Sequence, residues 1–77
     1  MSGPANPTEY VVVIEHAEDG SFSAYVPDLA GCVACGDIAA EARVLNAEAV
    51  RIHIESLRAH GEPVPPPSAT VDRVKVA

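Results

Sequence analysis

The first clear pattern along the chain is EYVVVIEH, Glu9 to His16, in which Tyr10, Val12 and Ile14 alternate against Val11 and Val13. β-Branched residues suit a pleated surface, and apolar side chains on both faces predict a strand covered on both sides, hence a central one. Asp19-Gly20 then offers residues suited to positive φ, and SFSAYV from Ser21 to Val26 puts Phe22, Ala24 and Val26 on one face. The two runs predict a β-hairpin. Pro27 cannot donate to a ladder, so the second strand ends in the loop PDLAG and returns through CVACG, Cys32 to Gly36. A three-stranded antiparallel meander is the expected result.

From Asp37 the period changes. Ile38, Ala42, Leu45, Ala49 and Ile52 recur at steps of four and three, which aligns them on one helical face. Asp37 is a candidate N-cap, Glu41 suits the first turn, and Gly61 suits the C′ position. Glu41, Glu48 and Glu55 recur at a constant spacing on the side away from the stripe, with Arg51 and Arg58 placed for exposed pairing. The segment GEPVPPPS, Gly61 to Ser68, is too rich in proline for helix or central strand and predicts an extended tether. Thr70 to Val76 alternates Val71, Arg73 and Lys75 against Asp72, Val74 and Val76, the pattern of a half-buried edge strand. The predicted class is α+β in the order βββαβ. A right-handed crossover would lay the last strand parallel to the first or third, and pairing with the first would explain its two apolar faces.

With 77 residues there is room for one domain, residues 9–77, after a loose leader at residues 1–8 that contains two prolines and a glycine. The predicted core is Val12, Ile14, Phe22, Ala24, Ile38, Leu45, Ala49 and Ile52. So small a core calls for self-association, and one helix cannot cover both faces of a four-stranded sheet. Val11 and Val13 are therefore the expected oligomer interface, in a dimer or tetramer. The longest apolar run, Val11 to Ile14, is far too short to cross a bilayer, so a cytoplasmic protein without membrane contact is expected. A formal charge of -6 repels phosphate backbones and fits a basic partner better than nucleic acid.

Catalytic chemistry finds little support in the pattern. Cys32 and Cys35 have CxxC spacing, but a zinc site needs further ligands, and His16, His53 and His60 lie far off in sequence. A redox pair would sit at a strand-to-helix junction, whereas these cysteines fall inside a predicted strand. They read as small apolar residues of a reduced protein. Glu9, Glu15, Asp28 and Asp37 are candidate acids by type alone, and no spacing singles out a pair. His53 flanks the apolar stripe and His60 suits the negative helix C-terminus. No catalytic residue, metal ligand or cofactor site is predicted.

The run FSAYVPDLAGCVACGD from Phe22 to Asp37, the EA pair Glu41-Ala42 and the tail GEPVPPPS together resemble the HicB antitoxin family. That family shows a strand, a PD-x-x-GC loop, a GD helix start, an EA pair and a G-E-x-x-P-x-P-S tail. The tail here has one more residue between prolines than the commonest spacing. The likeness covers nearly everything from Tyr10 to Val76. It implies a partial ribonuclease H-like fold and the binding of HicA, a small basic toxin that cleaves messenger RNA. Many family members continue into a DNA-binding segment. This chain ends at Ala77, so no direct DNA binding is expected of it.

Three functions are open at this point. The leading one is an antitoxin that neutralises a HicA-like toxin, with Asp28, Asp37, Glu41 and Glu48 as the expected partner-binding residues. The second is an orphan oligomeric binding or structural protein of the same fold with no toxin. The third, a residual metal-dependent nuclease, needs converging carboxylates, which the sequence does not single out.

Overall fold

The computed structural model describes residues 9–76, so the expected leader at 1–8 lies outside the described residues. Three strands, β1 (Val13–His16), β2 (Phe22–Tyr25) and β3 (Val33–Gly36), precede one helix, α1 (Ala39–Ala59). The sheet order is β1-β2-β3 and both pairings are antiparallel, which is the predicted meander. The fold is α+β, as expected.

Local chemistry explains each connection. Ala17 donates to the Ser21 carbonyl at 2.8 Å and Gly20 to that of Ala17 at 3.1 Å, closing a tight turn in which Gly20 takes φ 93°. The Asp19 carboxylate accepts from the Ser21 amide at 2.9 Å and its hydroxyl at 2.7 Å, so the turn braces itself and the Asp19 carboxyl is held below its usual range. At the far end of α1, Glu62 donates to the Leu57 carbonyl at 2.8 Å and Gly61 to that of Arg58 at 3.1 Å, with Gly61 at φ 69°. This is the Schellman arrangement that the glycine at C′ predicts. His60 Nδ1 lies 2.8 Å from the Ser56 carbonyl and adds a second tie there.

The start of α1 differs from the expectation. Ile38, not Asp37, is the N-cap, and its side chain caps nothing. Instead the Glu41 side chain reaches back and accepts from the amide of Asp37, the residue before the cap, at 2.7 Å. Gly36 makes this possible. A Cβ there would stand 2.8 Å from the Ala42 nitrogen and 2.9 Å from Glu41 Oε1, closer than real Cβ atoms come.

That closeness also corrects the predicted helical face. The register aligns Ile14, Ala24 and Ala34 across the sheet, and the next row is His16, Phe22 and Gly36. Opposite alanine and glycine, the helix approaches with its own small residues: Ala42 and Asn46 are fully buried and Ala39 is half-buried. Ile38, Leu45 and Ile52, predicted as core, are exposed, as is Ile14 at the sheet margin. Of the other predicted core residues, Ala24 is buried, while Val12, Phe22 and Ala49 are half-buried. The largest buried cluster lies toward one end of the molecule, where Val26, Leu29, Cys32 and Ile54 meet with Tyr10, Val12, Val50 and Val64 packed around them.

Asn46 clamps this arrangement. Its side-chain amide donates to the Ala24 carbonyl at 3.2 Å and to the Cys32 carbonyl at 2.8 Å, joining the helix to β2 and to the residue that leads into β3. Buried backbone carbonyls need such donors, and an amide supplies two from one side chain.

Two sheet expectations are corrected as well. Among the described residues the first strand is an edge rather than the centre, because residues 70–76 form no strand and nothing described pairs with the outer side of β1. β1 is also shorter than Glu9 to His16, since β2 ends at Tyr25, opposite Val13, just before Pro27 and leaves Tyr10 to Val12 no ladder partner. The proline tether does cross the domain: Val64 packs on the core and the Tyr10 hydroxyl donates to the Pro65 carbonyl at 2.5 Å.

Candidate partner-binding surface

An α-helix advances about 100° per residue, so Ile38, Leu45 and Ile52 form one row along a flank of α1. These side chains are 60%, 48% and 54% exposed. Glu41, Glu48 and Glu55 form the adjacent row, also exposed. Arg51 lies between two of these acids, pairing with Glu48 and, at 3.3 Å, with Glu55. Solvent-exposed pairs of this kind contribute little to stability, and at this spacing each is worth a few tenths of a kcal/mol. What the two rows create is an apolar strip bordered by negative charge.

The strip continues onto the loops. Gly31 and Cys32 share a shallow depression with Ala49, Ile52, His53 and Ser56, so the helix flank and the end of the PDLAGC segment make one surface. Gly31 holds its bend at φ 87°. Cys32 is buried there and its thiol is pushed up by desolvation, while Cys35 is exposed; both are free.

The four acids expected at the partner surface do not form one cluster. Asp28 is engaged elsewhere: its carboxylate accepts from the Ser68 amide at 3.0 Å, the Ser68 hydroxyl at 2.8 Å and the Ala69 amide at 3.1 Å. These bonds, led by that from Ala69, hold its carboxyl below the usual carboxylate range. It ties down the tail. Asp37 and Glu41 meet at the helix start through the bond described above, and Glu48 stands further along the same helix with Arg51. All three are exposed.

Val11 and Val13, expected to need cover, are half-buried. The register places Val13 beside Tyr25, and Tyr25 beside Val33, on the sheet face turned away from α1. This row is apolar across all three strands, while the next row on the same face is Glu15, Ser23 and Cys35. Among the described residues no group of three or more His, Cys, Asp or Glu side chains is placed to hold a metal ion, and no helix is long and apolar enough to cross a membrane.

Sequence reasoning missed two things, the exposed strip and Asn46. A signal for both existed. Ala39, Ala42, Asn46, Ala49 and His53 form a second stripe at helical spacing, and the facing strands offer alanine and glycine, which favour small partners.

A three-stranded antiparallel meander covered by one helix thus presents an exposed apolar strip beside an acidic row. The sequence profile of the HicB-like antitoxin of bacterial toxin–antitoxin systems matches residues 10–76, and this chain belongs to that family. It is also similar to the UPF0150 protein Ta0767 of Thermoplasma acidophilum, 42% identical over 57 residues that cover 74% of this chain and 83% of that protein. A second relative, the UPF0150 protein ssr1765 of Synechocystis, is 43% identical over 56 residues, covering 73% of this chain and 71% of its own. No solved structure matches the chain.

Proposed function

We propose that this protein is a non-enzymatic antitoxin that binds a small basic HicA-like toxin in the cytoplasm through the outer flank of α1. The observation that carries this reading is the row Ile38, Leu45 and Ile52, left exposed beside Glu41, Glu48 and Glu55. Apolar side chains of this size supply affinity when a partner buries them, and the acidic border speeds encounter with a basic surface and disfavours others. The net charge of -6 suits the same partner and opposes direct contact with DNA. Within this reading Glu41 and Glu48 contact the toxin, Asp37 stands at the margin of the surface, and Asp28 serves it indirectly by fixing the tail. Family likeness supports a partial ribonuclease H-like ancestry for the fold without nuclease chemistry.

Self-association belongs to the same proposal. The outer sheet face bearing Val11, Val13, Tyr25 and Val33 is covered in a homodimer or tetramer, as a chain with so few buried side chains requires. An orphan oligomer without a toxin would keep this face and make no use of the helix flank.

The test takes whichever small basic HicA-like protein the host's neighbouring genes encode, made inactive by substitution so that it can be purified. The wild-type chain is expected to bind it tightly and to relieve growth arrest when co-expressed with the active toxin. Glu41→Lys with Glu48→Lys should slow association and flatten its salt dependence, while loss of the Glu41 bond to the Asp37 amide costs only about 1 kcal/mol and leaves the chain folded. Association at the wild-type rate from low to physiological salt would contradict the assignment.

A further inference from the structure

We propose that residues 70–76 are a strand that completes the sheet of a second copy of this chain, adding to the open edge of β1 and seating Val74 and Val76 in the groove between β1 and α1. Each half of this fit is visible in one protomer. Among the described residues β1 pairs only with β2, so the hydrogen-bonding groups along its other side have no partner there. Such an edge is a template for another strand. The helix packs mainly over β2 and β3, which leaves beside β1 a groove of about 440 Å³ lined by Tyr10, Val12, Val26, Val50 and Ile54, with Arg58 at its rim.

The tail supplies what the edge lacks. Residues 70–76 have a β-rich alternating sequence yet no ladder, and Val71, Val74 and Val76 are 72%, 85% and 82% exposed. The segment therefore leaves its own sheet uncovered, and it does so from a fixed point. Ser68 and Ala69 are held by Asp28, so the strand starts from the body of the domain rather than from a loose end.

Alternation and charge agree on the pairing. Along β1 and the residues before it, Tyr10, Val12 and Ile14 face the helix side, while Glu9, Val11, Val13 and Glu15 face the other. A strand added with Val74 and Val76 toward the groove puts Arg73 and Lys75 on the face that carries Glu9 and Glu15. Asp72 then falls on the groove side, where Arg58 lines the rim. The tail holds two of the chain's five basic residues, in a protein that is otherwise strongly acidic. Reciprocal exchange between two copies closes as a symmetric dimer and consumes both open edges. The inference does not depend on the antitoxin reading, because it requires no toxin.

Lys75 is the chain's lone lysine, which makes the test direct. Purified full-length chains in isotopically light and heavy form are mixed, allowed to exchange, and joined with a zero-length carbodiimide that links Lys75 to a neighbouring carboxylate. The proposal expects Lys75 linked to Glu9 or Glu15 in mixed light–heavy pairs, and a scattering mass of at least twice the 8.0 kDa chain. Val74→Pro breaks the extended segment at an exposed position, so it should abolish the mixed-pair links while the helical circular dichroism is unchanged. Links confined to single chains, a monomeric wild type, or a Val74→Pro chain that keeps the mixed-pair links would each overturn the proposal.

Discussion

Two faces of the same helix follow opposite rules. In the first half of the helix the face turned to the sheet carries alanines and one asparagine and is buried, giving way to Val50 and Ile54 further on, while the flank turned to solvent carries two isoleucines and a leucine and is exposed. Size and hydropathy alone would reverse the assignment. The sheet decides, because Ala24, Ala34 and Gly36 admit the helix backbone so closely that only small side chains fit between, and Asn46 finds two carbonyls at that distance. A large apolar residue left outside under these conditions is free to serve a partner. The inner face specifies how the helix sits, and the outer flank is what the helix offers.

The sharpest way to break this comparison is to remove the polar clamp. Asn46→Leu strands the Ala24 and Cys32 carbonyls and forces a branched side chain into a close approach, at a cost of about 1–3 kcal/mol for each buried group left unpaired. Since small domains hold roughly 5–15 kcal/mol in all, the urea midpoint should fall markedly. A midpoint like that of the wild type would show that the inner face is not set by the amide.

A smaller effect is expected on the outer flank. Leu45→Ala, which a buried leucine would make costly at about 2–5 kcal/mol, should here change stability by less than about 1 kcal/mol because the side chain is half exposed already. Thermal melts of the single variant check this, and a loss comparable with that of Asn46→Leu would place Leu45 in the core after all.

The smallest effect concerns the tail anchor. The Asp28 carboxyl is held below its usual range in the folded chain, so it binds fewer protons folded than unfolded at acid pH. Its contribution is present above the unfolded value of about 3.9 and is lost as pH falls through the lower folded value. The protection factors of the Ser68 and Ala69 amides, taken against their intrinsic exchange rates, should therefore hold at neutral pH and fall as pH drops through that window. Asp28→Asn should show quick exchange at these two amides at neutral pH, with Ala24 and Ile54 protected as before.

How much of this was readable in advance follows the range of the interactions. The hairpin at Asp19-Gly20, the return after Pro27 and the Schellman end at Gly61 depend on residues within a few positions, and the sequence pattern placed each of them. The rotation of α1 depends on what lies across from it, and the Ile38, Leu45 and Ile52 row was read as core for want of that knowledge. The N-cap failed for a related reason: Glu41 satisfies the Asp37 amide, which left the Asp37 side chain unused as a cap. Asp28 read as a surface acid because its partners, Ser68 and Ala69, are far away in sequence. Residues 70–76 were read as a strand of this sheet and form none in the structure, because local alternation shows that a segment can pair and not what it will pair with.

The central claim is that the outer flank of α1 is the recognition surface, and methyl NMR of the labelled chain, titrated with the inactivated HicA-like protein, tests it most directly. The methyl signals of Ile38, Leu45 and Ile52 should shift or broaden first, while those of Leu29, Val26 and Ile54 in the core stay in place. Perturbation confined to Val13 and Val33 on the outer sheet face, with the helix row silent, would contradict the account.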